Sequence, residues 1–156
     1  MIRTAESDDA AAISEIWNAA IRDTTITFNP VEKTVADVAD LIGTTPCLVW
    51  EQDAQVLGFA RYFQFRGGEG YRYTVEHTVM LHARAQGRGA GRALMNALCD
   101  HARQADMHSM FAGCSAENPG AVHFHAALGF DTVATLPQVG FKFGRWIDLV
   151  LMQKLL

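Results

Sequence analysis

Three groups of residues in this chain could do chemistry. The first is Gln86-Gly87-Arg88-Gly89-Ala90-Gly91. It follows the apolar run Val79-Met80-Leu81, and Ala90, Leu94, Ala97 and Leu98 then recur at helical spacing. A strand, a glycine turn and a helix N-terminus make an anion cradle. The first backbone N–H groups of the helix lack partners, the helix dipole adds partial positive charge, and glycines admit a ligand close to the backbone. A pyrophosphate is the expected ligand. A nucleoside-triphosphate loop would end in Gly-Lys-Ser or Gly-Lys-Thr, whereas Gly91 is followed by Arg92-Ala93. A dinucleotide fingerprint needs G-x-G-x-x-G, and the third glycine here is misplaced. What fits is Q-x-x-G-x-G directly after a strand.

The second group is Glu76, a carboxylate inside Tyr73-Thr74-Val75-Glu76-His77-Thr78-Val79. Alternation places Glu76, Thr78 and Met80 on one side of a strand and Val75, His77, Val79 and Leu81 on the other. Neither side is all polar, so both are expected to be partly covered. A partly buried Glu has a raised pKa and can accept a proton near neutral pH. Base and structural charge are both open readings.

The third group is Asn118 to Phe130, NPGAVHFHAALGF. Asn118 reads as a helix N-cap, or as an amide bonding an extended ligand. His123 and His125 are two residues apart on one helix, do not share a face, and are poor joint metal ligands. His125 shares a face with Ala121 and Leu128, as a half-buried histidine would.

These groups need elements to position them. Ile2-Arg3-Thr4 reads as a first strand, and Ser7-Asp8-Asp9 offers an N-cap for a helix through Ile13, Ile16, Trp17, Ala20 and Ile21. A polar loop, Asp23 to Pro30, carries Phe28, which either reaches over a site or plugs the core. Thr34 can cap a second helix. Cys47–Glu51 and Val56–Phe65 form a hairpin about Asp53-Ala54. Tyr71–Leu81 reads as a long strand and Met107–Cys114 as another. Pro119 opens the last helix and Gly129 stops it. Asp131–Leu136 and Ile147–Leu155 read as closing strands, with a glycine-punctuated connection between them. The order β-α-α-β-β-β-α-β-α-β-β gives an α+β class with a mixed sheet.

Composition agrees. The 156 residues, 49% hydrophobic and 19% charged, suit one globular domain spanning 1–156. A net charge of −4 argues against a nucleic-acid partner. Arg84, Arg88, Arg92 and Arg103 cluster, which suits a small polyanion. Cys47, Cys99 and Cys114 form no C-x-x-C pair, so neither zinc nor a disulfide framework is expected. Reduced thiols, no apolar signal core and no spanning run point to a cytoplasmic protein without membrane contact.

Asn118-x₆-His125-x₃-Gly129-Phe130, after a Q-x-x-G-x-G helix, resembles the second half of the GNAT N-acetyltransferase fold, and Gln86–Gly91 resembles that family's coenzyme A loop. Trp17-Asn18, Thr27-Phe28, Tyr71–His77 and Gly140-x-Lys142-Phe143-Gly144-Arg145-Trp146-x-Asp148 resemble one branch. That branch is the phosphinothricin and methionine sulfoximine or sulfone N-acetyltransferases. The resemblance runs nearly end to end. It implies a mostly antiparallel sheet of six to seven strands flanked by about four helices. It also implies acetyl transfer from acetyl-CoA to the α-amine of a small amino-acid analogue, by direct attack on the thioester.

Residue by residue, the resemblance implies that Val79, Met80 and Leu81 offer backbone groups to the thioester and pantetheine. Gly87, Arg88, Gly89, Ala90, Gly91 and Arg92 would bind the pyrophosphate, and Asn118 the pantetheine arm. Glu76 would be the base and His125 a proton donor to the leaving thiolate. Glu69, Gly70, Tyr71 and Arg72 would meet the acceptor, with Phe28 over it. The oxyanion donor would be the N–H of Met80 or Leu81. Met80 stands where the branch often has Tyr, which shifts attention to His125. Cys114 as an acetyl carrier lacks a neighbouring basic motif. Other amines, such as a polyamine or peptide N-terminus, and a non-catalytic acyl-CoA-binding module are the alternatives. The apolar C-terminal strand and Trp146 either cover a homodimer interface or close the sheet.

Overall fold

The computed structural model describes residues 1–156. In chain order the elements are β1 (Ile2–Thr4), α1 (Ala10–Asp23), α2 (Val35–Thr44), β2 (Cys47–Gln52), β3 (Gln55–Gln64) and β4 (Thr74–Leu81). They continue as α3 (Ala90–Gln104), β5 (Ser109–Ser115), α4 (Pro119–Ala127), β6 (Asp131–Lys142) and β7 (Arg145–Leu155). The strands form one sheet in the order β1-β2-β3-β4-β5-β7-β6. Only β4 and β5 are parallel, with helix α3 crossing over between them; the other five strand pairs are antiparallel. This is the mixed, mostly antiparallel sheet with four helices expected from the sequence.

Each face of the sheet carries its own core. Ile13, Ile16, Trp17 and Ile21 of α1 and Val38 of α2 pack on Val49, Phe59 and Met80. Leu94, Met95, Leu98 and Ala102 of α3 pack on the other face with Leu48, Ala60, Tyr62 and Val75. The alternation along β4 therefore serves two buried layers. Local signals hold where they are self-contained. Thr34 Oγ1 accepts from Asp37 N–H, and the Asp37 carboxylate accepts from Thr34 N–H, each at 3.0 Å. Pro119 is the first residue of α4, and Gly129 follows it with φ +90°. Asp53 and Ala54, both at positive φ, close the β2–β3 hairpin.

Several boundaries differ from expectation. Residues Ser7–Asp9 form a 3₁₀ turn running into α1. Asp9 is the N-cap residue of that helix but makes no side-chain capping bond to it; its carboxylate accepts from Glu6 N–H at 2.8 Å and pairs with Arg3. Strand β4 starts at Thr74, because Glu69–Tyr71 winds into a 3₁₀ turn. The stretch expected as a long connection after Leu136 is strand. Phe143 (φ +52°) and Gly144 (φ +75°) make a two-residue turn that lets β6 and β7 pair out to Lys142 and Arg145. Pro137 and Gln138 are absorbed by a register shift between Leu136 and Gly140, where Gln138 N–H donates to Asp148 Oδ1 at 2.8 Å.

Candidate active site

The sheet opens at its centre. Strand β4 pairs with β3 along its whole length, out to Leu81 opposite Gly58. It pairs with β5 only over Thr74, Val75 and Glu76. Beyond Glu76 the strands separate, and β5 continues paired only to β7. His82 N–H donates to Leu57 O and Phe65 N–H to Thr74 O. The alternation of an antiparallel ladder then turns the backbone of Thr74, Glu76, Thr78, Met80 and His82 toward β3. It turns that of Val79 and Leu81 into the gap. This corrects the expectation for Met80: its N–H belongs to the β3 ladder, and its side chain is buried in the α1 layer. Val79 and Leu81 are the residues with backbone donors free for a ligand.

The gap leads to the glycine turn. Gly87 (φ +72°) and Gly89 (φ +80°) have left-handed conformations, and nothing lies within 4 Å of where a side-chain carbon would sit on either. Gly89 is the N-cap residue of α3 and supplies no capping side chain, so the N–H groups of Ala90, Gly91 and Arg92 face the open side. Gly91 serves a different end. It is buried, and a Cβ there would stand 3.3 Å from Phe124 Cζ, so its smallness lets α4 approach α3. Of the four clustered arginines, Arg84 bonds Gln55 and Arg103 pairs with Asp100. Arg88 and Arg92 have no ion-pair partner. An open, positively biased cradle at the end of a strand gap fits a pyrophosphate with a long thioester arm.

Glu76 sits at the apex of the gap. Its side chain shares the α1 face, and burial raises its pKa with no hydrogen bond or neighbouring charge to offset the effect. Gly113 of β5 lies beside it; a Cβ there would be 3.7 Å from Glu76 Oε1. Asn118 caps α4, its Oδ1 accepting from Ala121 N–H at 3.3 Å, which leaves the amide Nδ2 for a ligand.

His125 is 5% exposed and pairs with His77, their Nε2 atoms 3.0 Å apart. Nδ1 of His125 lies 2.7 Å from Ala121 O, so it must carry the proton it donates there. Its Nε2 is then the acceptor, and His77 Nε2–H is the donor. His77 Nδ1 is left as a buried acceptor without a partner. Burial, and then His125, push the His77 pKa down to about 3; burial also lowers that of His125. The proton-donor role expected of His125 does not fit this arrangement, because both its nitrogens are engaged and the pair is neutral. Cys114 Sγ lies 3.5 Å from His125 Nδ1, a neighbour the linear sequence did not reveal. Burial pushes that thiol up to about 11, and a protonated Nδ1 is no base, so Cys114 is not an activated nucleophile.

A cleft of about 380 Å³ opens beside Asn118. Asp23, the last residue of α1, and Thr25, from the loop after it, form one wall; Glu117 lies just before α4; Phe143, from the β6–β7 turn, and Arg145, the first residue of β7, form the other wall. Arg145 donates to both Glu117 oxygens, at 2.7 and 2.8 Å, and Thr25 Oγ1 joins Glu117 Oε1 at 3.1 Å. Lys142 Nζ donates to Thr24 O at 2.5 Å and Thr27 O at 2.7 Å. The Phe28 ring lies on Gly140, where a Cβ would come within 2.5 Å of it. Phe28 is thus clamped between the loop and β6. The expected acceptor residues Glu69, Gly70, Tyr71 and Arg72 lie elsewhere. They are exposed at the N-terminal ends of β4 and β5, roughly 20 Å from Asn118 by the length of β5. Lys142 and Arg145 escaped the sequence reading as site residues because the β6–β7 segment read as a connection, and Asp23 and Glu117 because only the fold brings the end of α1 and the start of α4 to that turn. Two cations bracketing Phe143-Gly144 were the available signal.

The GNAT acetyltransferase family model matches residues 13–130. This chain belongs to the GNAT family. An L-methionine sulfoximine/L-methionine sulfone acetyltransferase from Salmonella typhimurium is 42% identical over 97% of this chain and 92% of its own length. A ribosomal-protein-alanine N-acetyltransferase structure from Brucella melitensis superposes with a TM-score of 0.97 at 37% identity, covering 100% and 99% of the two chains. A GNAT phosphinothricin acetyltransferase from Sinorhizobium meliloti, solved with acetyl-CoA, gives 0.94 at 29% identity, covering 100% and 88%. This GNAT protein thus shares its overall fold with both solved structures. No helix is long and apolar enough to cross a membrane.

Proposed function

We propose that residues 1–156 act as one acetyltransferase domain that moves the acetyl group of acetyl-CoA to the α-amine of a small amino-acid analogue of the methionine sulfone, methionine sulfoximine or phosphinothricin type. The observation that carries this reading is the β4–β5 gap. It runs from an open glycine cradle to a half-buried carboxylate and opens beside a polar cleft. The names of the relatives support the acceptor class.

In this reading Gly87 to Arg92 hold the pyrophosphate and Asn118 Nδ2 bonds the pantetheine arm. Acetyl-CoA supplies the activated carbonyl. The N–H groups of Val79 and Leu81 face its oxygen as negative charge develops there. Glu76 takes the amine proton, directly or through one water. Phe28 forms the wall of the acceptor site.

A peptide N-terminus is the second reading, favoured by the likeness to the ribosomal-protein-alanine acetyltransferase. Thiol release from acetyl-CoA decides, measured with methionine sulfoximine, methionine sulfone, phosphinothricin, a polyamine and an alanine-initiated peptide. The amino-acid analogues are expected to turn over best. Tight coenzyme binding with no release from any amine sinks the enzyme reading.

The reading extends to assembly and place. Val139, Phe141, Phe143 and Trp146 expose an apolar strip on β6–β7 that suits a second copy, testable by sedimentation. Three buried free thiols suit the reducing cytoplasm.

A further inference from the structure

Three aromatic side chains share the sheet face of Glu76. Phe63 is its register partner on β3 and Phe111 its register partner on β5, so both rings stand on the side that the Glu76 carboxylate occupies. Phe65, two residues along β3, stands on that side too, and its ring stacks on Phe111 with the centroids 4.5 Å apart. These rings belong to neither of the two cores. Helices α1 and α2 pack on this face over Val49, Phe59 and Met80, farther along the strands, and leave Phe63, Phe65 and Phe111 half-buried. One side of Phe63 is taken by the Arg61 guanidinium, 4.7 Å from the ring centroid. The next residue on this face of β5 is Gly113, which is exposed. Its lack of a side chain leaves the way to Glu76 open, because a Cβ would stand 3.7 Å from Glu76 Oε1 and 3.4 Å from Leu149 Cδ1. The result is a shallow apolar basin holding one carboxylate. Apolar surface gathered about a single charged group is the make-up of a ligand site rather than of a solvated sheet face.

We propose that the Phe65–Phe111 stack is the receptor for the acceptor's side chain, and that it selects an unbranched, neutral chain ending in a methyl group. The amine stands at Glu76. The side chain runs from there across one strand spacing and lies on the stacked rings, covering apolar surface that the fold leaves in water. Each methylene laid on the rings adds a roughly equal increment of binding, because apolar transfer scales with the area removed from water. Methionine sulfone, with its terminal methyl group, fits this description. This inference rests on the amino-acid acceptor reading above and deepens it by naming what the site reads beyond the amine. Phe65 and Phe111 are binding residues in it; neither takes part in proton transfer.

The test is a series of L-amino acids, alanine, 2-aminobutyrate, norvaline and norleucine, which share one amine and one carboxylate and differ only in methylenes. Thiol release from acetyl-CoA gives kcat/KM for each, and calorimetry gives its binding to the coenzyme A-loaded protein. In the wild type both are expected to rise about threefold per methylene, and at least tenfold from alanine to norleucine. Phe111→Ala should flatten that rise to within about threefold over the whole series. Phe111→Leu, which keeps an apolar side chain, should retain most of it. Phe65→Ala removes the other ring and should flatten the series as well, so the proposal stays decidable if one alanine variant fails to fold. Unchanged coenzyme A affinity reports an intact fold. A purely structural role would lower every member of the series alike and leave the rise in place, and that result overturns the proposal. A flat wild-type series with thiol release overturns it too, and leaves the acetyltransferase reading standing. A rising series in binding with no thiol release would keep the stack as the receptor and reject the transferase reading instead.

Discussion

The Nε2 atoms of His77 on β4 and His125 on α4 lie 3.0 Å apart in the layer between the sheet and α4, with one proton between them. Residues 48 apart in sequence thus share one bond, and their protonation is tied to the seating of α4. His77 has its folded pKa depressed to about 3, against an ordinary value of 6.5. The unfolded chain therefore binds more protons once the pH falls below about 6.5, and stability falls from there toward pH 3. We expect a loss of about 2 kcal/mol from His77 alone between pH 7 and pH 5. Denaturant melts across that range measure it. His77→Leu should flatten the slope; an unchanged slope would show that the pair is not the titrating element.

Glu76 carries the opposite sign. Its folded pKa is raised, so its contribution to stability is fullest below the unfolded value and is lost as the pH rises through the folded one. Glu76→Gln should therefore raise the melting temperature at pH 7. It should also lower kcat/KM by about 10²-fold or more, with the largest deficit at low pH where neutral amine is scarcest. A variant with the wild-type pH profile would remove Glu76 from the proton path.

Two glycines of the cradle, Gly89 and Gly91, should separate by effect. Gly89→Ala puts a Cβ into the open anion site at positive φ, and about 1–2 kcal/mol of backbone strain accompanies it. Coenzyme A affinity, measured calorimetrically, should fall while the fold survives. Gly91→Ala presses on Phe124 instead, so it should lower stability more than it lowers coenzyme affinity. Indistinguishable behaviour of the two variants would contradict the separate roles assigned to them.

Gly140 is a lever on the acceptor wall. Gly140→Ala places a carbon within 2.5 Å of the Phe28 ring, so the ring and its loop must move. The acceptor KM is expected to rise with coenzyme affinity unchanged, and stability should fall by about 1–3 kcal/mol. Loss of coenzyme binding of the same size would place Phe28 at the wrong ligand.

The sequence by itself determined what depends on neighbours in the chain. Gln86 to Gly91 declared its cradle, because positive φ and unpartnered N–H groups are properties of the turn and the helix start. Thr34, Pro119 and Gly129 declared helix ends for the same reason. The alternation around Glu76 showed a strand covered on both faces. Tertiary structure decided what depends on separation. The gap beyond Glu76 exists because β5 stops pairing with β4, and no residue of either strand announces where that happens. The ladder parity that gives the free donors to Val79 and Leu81, and takes Met80 away, was set by β3. His125 resembled a proton donor until His77 and Ala121 O claimed its two nitrogens. Lys142 read as part of a loop until the Phe143-Gly144 turn extended β6 and carried its ammonium to carbonyls more than a hundred residues earlier. Conformational preference acts over a few residues and can be read in order; burial and partner choice are properties of the packed chain.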